Sequence, residues 1–418
     1  MYRITRKDFA ILVGNTLDHF DNALYSFLVP ILAPLFFPKF DPVLQLILGY
    51  SFLASSLFTK PLGALVFGSI AQKYGPMQGL SCTLVGMAIA SLAMGCLPDH
   101  ATIGWLAPAG LLGLKMLQGL CAAGETTIAR FYLVEDKPPQ QALKASSWYE
   151  NSTMLGLILA SGVSALVLHS PAYHKYWRVA FWLGSCTGII GYLLRSYQAA
   201  EEKNKAQQAH YTHQAFALRL LWKHKATLLR ITIAYGFDYV TYVVPAVLMN
   251  TFVPLITTIT TATMMQHNTM LLIVDMFLIS ITGRIIHKCN PSKVMLIATL
   301  GLASTIMPLW YALPGASLTY VYLVRTFLTI CGVTFVVPLN VWSKKMRQNL
   351  PAPYPVVGLA QAFGAAMMGK TAPSICLFLW HSTKQPLAIA GYIALCAVLT
   401  AWAILSQGQA TPRDKSTA

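Results

Sequence analysis

Gly14–Phe27, GNTLDHFDNALYSF, opens the first long apolar run of a 418-residue chain. Asp18, His19 and Asp21 fall within four positions of one another inside it. In a helix turning about 100° per residue, Asn15, Asp18, Asp21, Asn22 and Tyr25 share one sector of roughly 120°. A charge at the bilayer centre costs at least about 2.5–3.5 kcal/mol on insertion scales. A one-sided polar stripe avoids that cost by facing an aqueous cavity shared with other helices. The fold therefore depends on whether the rest of the chain supplies such helices.

The composition says that it does. The chain is 56% hydrophobic and 11% charged, with a mean hydropathy of +0.55. Soluble domains carry about 25% charged residues. Apolar runs long enough to cross a bilayer recur to the C-terminal end. They fall at 9–38, 43–71, 78–97, 103–134, 143–169, 176–195, 227–255, 260–287, 293–312, 316–342, 355–381 and 385–406. The predicted fold is an all-α polytopic membrane protein: 12 transmembrane helices in two pseudo-symmetric six-helix bundles. Residues 1–195 form the N-terminal bundle and 227–407 the C-terminal one. A polar linker (196–226, containing EEKNKAQQAHYTH) joins them, and 408–418 form a short tail. The N-terminal MYRITRKDFAILVG reads as the start of a retained span, because the apolar run is too long for a signal peptide and contains carboxylates.

The net charge of +16 sits mainly in short segments between spans. Twenty basic residues, Arg195 among them, fall in segments on the side of the N-terminus; only Lys39, Lys175, Arg178 and Lys384 fall on the other. That asymmetry predicts cytoplasmic termini and a cytoplasmic linker. It also accounts for the basic balance without nucleic acid. The eight cysteines form no C-x-x-C pair and the His210/His213 cluster is isolated, so neither a metal nor another cofactor is expected. No H-E-x-x-H or G-x-S-x-G motif occurs, which argues against an enzyme.

Both halves carry the same punctuation. GSIAQKYGPM, with Gly68, Lys73 and Gly75, is echoed 215 residues later by GRIIHKCNPS, with Gly283, Lys288 and Asn290. Asp21-x-x-x-Tyr25 is echoed by Asp238-x-x-x-Tyr242, and Lys115 before Cys121 by Arg325 before Cys331. Three matches in order, at nearly one offset, indicate two homologous halves. Parallel repeats with a site at their interface are a secondary-transporter plan.

Four segments strengthen this. GNTLDHFDNALYSFLVPILAPLFFP (14–38), KPLGALVFGSIAQKYG (60–75), TIGWLAPAGLLGLKMLQGLCAAGE (102–125) and WRVAFWLG (177–184) resemble successive span motifs of the metabolite:proton symporters of the major facilitator superfamily. GLAQAFGAAMMGKTAP (358–373) resembles the eleventh-span motif. The resemblance implies proton-coupled uptake of a small metabolite by alternating access, since that group includes importers of proline and betaine, citrate, α-ketoglutarate and shikimate. It also implies that acids at Asp18, Asp21 and Glu125 are the proton-coupling candidates, with Asp21 and Glu125 ranked first. Gly68, Gln72, Lys73 and Gly75, with Gly283 and Lys288 in the second half, match the cytoplasmic gating motif. Gln72 stands where that motif has an aspartate, and Lys60 and Lys115 stand where the family's span motifs have arginines.

Helical spacing adds the other candidates. Lys115, Gln118 and Glu125 share a face, as do Arg325 and Thr329. Asn15, Asn22, Tyr25, Lys60, Lys115, Gln118, Arg130, Asp238, Tyr242, Arg325 and Gln361 are the predicted cavity residues. His19, on the flank of the stripe, reads as a packed or interfacial histidine before a proton carrier, Glu150 as cavity or cytoplasmic-facing, Asp275 and Lys370 as cavity groups or a pair between spans, and Arg230 as an end anchor. The cations Arg130 and Arg325, added to Lys60 and Lys115, point to an organic anion such as citrate, a dicarboxylate or a carboxylate siderophore. If Asp and Glu neutralise those cations, a zwitterion such as proline or betaine fits. Drug or metabolite efflux by antiport and a non-transporting receptor-like protein are the remaining readings. The expected partners are substrate, proton and lipid, with the chain a monomer.

Overall fold

Backbone polar groups inside lipid must be satisfied within the chain, and helices do this locally. The computed structural model describes residues 5–134, 139–206, 224–286, 289–347 and 353–406, and no strand occurs among them. The first half contains α1 (Arg6–Phe36), α2 (Pro42–Ser51), α3 (Ser56–Tyr74), α4 (Pro76–Cys96), the short α5 (His100–Ile103), α6 (Leu106–Val134), α7 (Pro139–Leu168) and α8 (Trp177–Ala206). The second contains α9 (Lys225–Val243), α10 (Met249–Ile256), α11 (Thr261–Ile286), α12 (Pro291–Tyr311), α13 (Leu318–Arg347), α14 (Pro353–Gly364), α15 (Ala372–Thr383) and α16 (Leu387–Leu405). A 3₁₀ turn at Phe52–Ser55 joins α2 to α3 into one crossing. π-helical turns at Val244–Leu248 and Ala365–Lys370 likewise join α9 to α10 and α14 to α15. With α5 confined to a loop, the described helices make twelve crossings.

Among the described residues, ten spans are long and apolar enough to cross a membrane, by length and composition alone. The other two crossings are α1, whose hydropathy its own polar stripe lowers, and α8. The outward surface is apolar: Leu166, Ile297 and Tyr311 are 71%, 70% and 74% exposed. Such side chains spread over every crossing suit lipid contact.

Local chemistry sets the helix ends. Thr5 and Asp8 form a reciprocal capping box at the start of α1. Asp41 caps α2 through the backbone N–H groups of Val43 and Leu44, with Pro42 at the first helical position. Gly75 turns from α3 into α4 at φ +98°, a backbone that favours glycine, and Pro76 starts the next helix. At the repeat-related place Asn290 caps α12, again with proline first. The echoed punctuation of the sequence is thus one helix–turn–helix corner built twice.

The main departure from expectation is the sixth crossing. Its predicted end at residue 195 is helix interior, and α8 continues to Ala206. Arg195 was expected in a cytoplasmic segment but is fully buried. Glu201, Glu202, Lys203 and Lys205 are good helix formers that carry the helix beyond the apolar run. Residues 207–223, most of the expected linker, and the tail from 407 lie outside the described residues.

Within the first half α4 packs on α8, α1 on α7 and α3 on α6; within the second, α12 packs on α16 and α9 on α14. The halves meet along α7–α11 and α2–α15. These contacts leave the middle of the interface open.

Candidate functional site

A cavity of about 940 Å³ occupies that interface. Its wall reaches Gly283, Arg284 and Pro291, so it extends to the end that carries the helix corners at Gly75 and Asn290. The opposite end is crossed by polar contacts between the halves. Tyr50 donates to Thr251 Oγ1 at 3.4 Å, and Asn268 Nδ2 donates to Ser161 Oγ at 3.1 Å. Ser161 and Thr269 share a hydroxyl bond of 2.9 Å, and Gln266 meets His169 at 3.1 Å.

Both signs of charge line the cavity. The carboxylates are Asp18, Glu150, Asp238 and Asp275, and the cations Lys60, Lys115, Arg284 and Lys370. Formal charge therefore cancels over the described lining. Tyr149, Tyr235, Tyr239 and Tyr242 add aromatic surface. Lys370 closes the π-helical turn Ala365–Lys370. Lys370 interacts electrostatically with Lys60 and Asp18 of the other half.

The polar stripe of α1 divides between two environments. Asp18 and Asn22 face the cavity, with Asn22 Nδ2 donating to Asp18 Oδ1 at 3.3 Å and His19 Nδ1 at 3.5 Å from Asp18 Oδ2. Asn15 instead ties α1 to α7 by donating to Ser152 and Thr153 at 2.8 and 2.9 Å. Tyr25 is buried and donates to the Gly49 carbonyl at 2.7 Å. Asp21 lies behind the wall, accepting from Ser91 Oγ and, at 2.7 Å, from Gln118 Nε2. Gln118 Oε1 accepts from Lys115 Nζ at 2.5 Å. Lys115 faces the cavity, 4.6 Å from the Tyr25 ring centroid. A hydrogen-bonded chain thus runs from Lys115 at the wall to Asp21 in the interior.

Glu125 and Arg325 were expected at the cavity and are not in its lining. Glu125 is fully buried in the N-terminal bundle, where Arg195 Nη1 and Nη2 each reach one of its oxygens at 2.7 Å. Thr83 donates to the same carboxylate at 3.0 Å. Arg195 also donates to the carbonyls of Ala10, Ile11 and Leu80. The physical reason is bidentate fit: a guanidinium satisfies both carboxylate oxygens at once, so neither group needs water. Gly14 makes room for this, since a Cβ there would lie 2.7 Å from Arg195 Nε. Arg325 is spent on Asn268 Oδ1 at 2.5 Å, Asn250 Oδ1 at 3.1 Å and the Met264 carbonyl at 3.2 Å.

Of the remaining candidates, Lys60, Asp238, Tyr242 and Gln361 line the cavity, as does Gly283. Lys60 Nζ stands 5.7 Å from the Tyr239 ring centroid. Lys73 is exposed at the end of α3 and Gly75 forms the corner after it. Lys288 and the side chains of Gln72 and Arg130 lie outside the described residues, as does the surroundings of Gly68. Arg195 escaped sequence reasoning because it follows the apolar run. The demand of a buried Glu125 for a cation was the available signal.

A cavity of balanced charge between two six-helix halves, reaching one end and crossed by polar ties at the other, matches the plan on which secondary transporters are built. The chain belongs to the Major Facilitator Superfamily, whose family model matches residues 11–340.

The proline/betaine transporter of Salmonella typhimurium (strain LT2) is 34% identical over 203 residues, 48% of this chain and 40% of that protein. The chain therefore spans well under half of that relative's length in the match. A putative proline/betaine transporter of Staphylococcus haemolyticus is 28% identical over 408 residues, covering 94% of this chain and 85% of that one. Among solved structures, a D-xylose-proton symporter matches with a TM-score of 0.76 over all of both chains at 14% identity, which establishes a shared fold.

Proposed function

We propose that the chain takes up a small zwitterion of the proline/betaine type together with a proton, by alternating access. The carrying observation is the charge balance of the cavity, where Asp18, Glu150, Asp238 and Asp275 offset Lys60, Lys115, Arg284 and Lys370. A polyanion would need surplus cations. Arg325, one of the four cations that favoured citrate, serves a buried cluster instead. Tyrosines in the wall suit an alkylated ammonium group, which attracts ring faces. The names of the curated relatives favour the same reading.

Asp18 is the proposed proton carrier, ahead of Asp21 and Glu125. It faces the cavity, and Lys370 sits across the interface within electrostatic reach. When the substrate carboxylate engages Lys370, Asp18 loses that counter-charge and a proton neutralises it. Substrate and proton then travel together, and rocking of the halves separates or rejoins Asp18 and Lys370. Glu125 already has a complete ion-pair partner and no cavity access.

The chain is placed in a bacterial cytoplasmic membrane as a monomer, with its termini inside. This orientation makes the structure inward-facing, because the cavity extends to the Gly283–Pro291 end.

The test is uptake into proteoliposomes with acid outside. Labelled proline and glycine betaine are expected to accumulate, and a protonophore to abolish it. Accumulation of citrate instead, or acid-driven extrusion, would overturn the reading.

A further inference from the structure

Asp275 is a buried charge with nothing to answer it. It projects from the middle of α11, lines the cavity and is 8% exposed. It has no hydrogen-bond or ion-pair partner among the described residues. The other cavity acids differ. Asp18 is held by Asn22 and approached by His19, and Asp238 and Glu150 have interactions of their own. A carboxylate kept bare inside a membrane protein is expensive, and the expense is offset when a bound cation supplies the missing charge.

The surroundings say what kind of cation. Tyr242 lines the same cavity and lies within electrostatic range of Asp275. The lysines lie elsewhere on the wall: Lys60 sits by Tyr239, Lys115 is bonded to Gln118, and Lys370 is near Asp18. A bare metal ion demands several oxygen ligands, and no group of three or more metal-binding side chains occurs among the described residues. One carboxylate with an aromatic neighbour suits an organic ammonium, which takes charge attraction from the acid and ring attraction from the tyrosine.

We propose that Asp275 and Tyr242 form the subsite that receives the substrate's ammonium group and makes the transporter reject ligands lacking that charge. This rests on the zwitterion reading above and adds the residues that recognise one end.

The test separates the two. Glycine betaine has an isostere without the positive charge, the 3,3-dimethylbutyrate anion, in which carbon replaces nitrogen. Equilibrium binding of both to purified full-length protein gives a discrimination ratio. For wild type the ratio favours betaine; in Asp275→Asn it is expected to fall by at least about tenfold. Asp275→Glu restores part of it. Thermal unfolding checks that each variant is folded, and removal of an unpaired buried charge is not expected to lower stability. An unchanged ratio in folded Asp275→Asn overturns the subsite while leaving zwitterion uptake intact. Loss of proton-driven uptake with an unchanged ratio also overturns it, by making Asp275 a protonation site. Wild-type protein that binds neither betaine nor proline overturns the subsite and the zwitterion reading together.

Discussion

Arg195 grips Glu125 with two nitrogens at 2.7 Å, and both side chains are fully buried within one bundle. The pair joins α6 to α8, and the bonds from Arg195 to the Ala10 and Ile11 carbonyls add α1. Removing one member of such a pair strands the other charge. Glu125→Gln and Arg195→Met are each expected to destabilise the protein by about 3–5 kcal/mol. The double variant should recover much of that loss. Thermal unfolding of the purified variants checks this; single variants as stable as wild type would show that the pair contributes little to the fold.

Gly14 offers an indirect test of the same tie. A methyl group there meets Arg195 Nε at 2.7 Å and other guanidinium atoms closer still. The guanidinium cannot swing away cheaply, because its bonds to Glu125 and three carbonyls fix it. Gly14→Ala is expected to cost about 1–3 kcal/mol, the usual range for overpacking. In an Arg195→Met background the same substitution should cost less, since the obstacle is gone. Equal costs in both backgrounds would place the strain elsewhere.

Much of this was legible in the sequence, and its failures share one cause. Apolar run length located the crossings, because span length is a property of local chain. The α1 stripe announced a polar interior, because helical periodicity is local too. What periodicity cannot tell is which polar neighbour a stripe meets. Asp18 faces the cavity and Asp21, three residues on, faces Ser91 and Gln118. Arg325 and Lys370 both read as intramembrane cations, yet the first is consumed by Asn250 and Asn268 and the second borders the cavity. Those outcomes depend on side chains more than fifty residues away in sequence. The extension of α8 was missed because hydropathy marks where lipid ends, not where a helix ends.

Asp18 carries the coupling prediction. Asp18→Asn is isosteric and cannot release a proton at the working pH. It should therefore abolish accumulation driven by a proton gradient while preserving substrate exchange down its own gradient, which needs no net proton movement. Accumulation and exchange are measured in the same proteoliposomes. Wild-type accumulation by this variant would remove Asp18 from the mechanism and return attention to Asp21, which the Lys115–Gln118 chain connects to the wall.

The polar ties at the end away from Gly75 give a conformational prediction. Ser161 of one half contacts Asn268 and Thr269 of the other, at 3.1 and 2.9 Å. Arg325 holds Asn268 by its amide oxygen, leaving the amide nitrogen aimed at Ser161. Alternating access requires these cross-interface bonds to break when that end opens, whereas the Arg325 contacts lie within one half and survive. Each bond contributes about 1 kcal/mol net, so Ser161→Ala should shift the equilibrium toward the outward-open state by about fivefold or more. Spin labels at Lys175 and Thr260, with the exposed Cys96, Cys186 and Cys289 replaced by serine, report the separation of the halves. The variant should gain a longer-distance population at the expense of the short one. Arg325→Met should act in the same direction, because an unheld Asn268 no longer presents its amide to Ser161. An identical distance distribution in Ser161→Ala and wild type would mean that apolar packing along α2–α15 and α7–α11 holds this end shut without help from the hydroxyl.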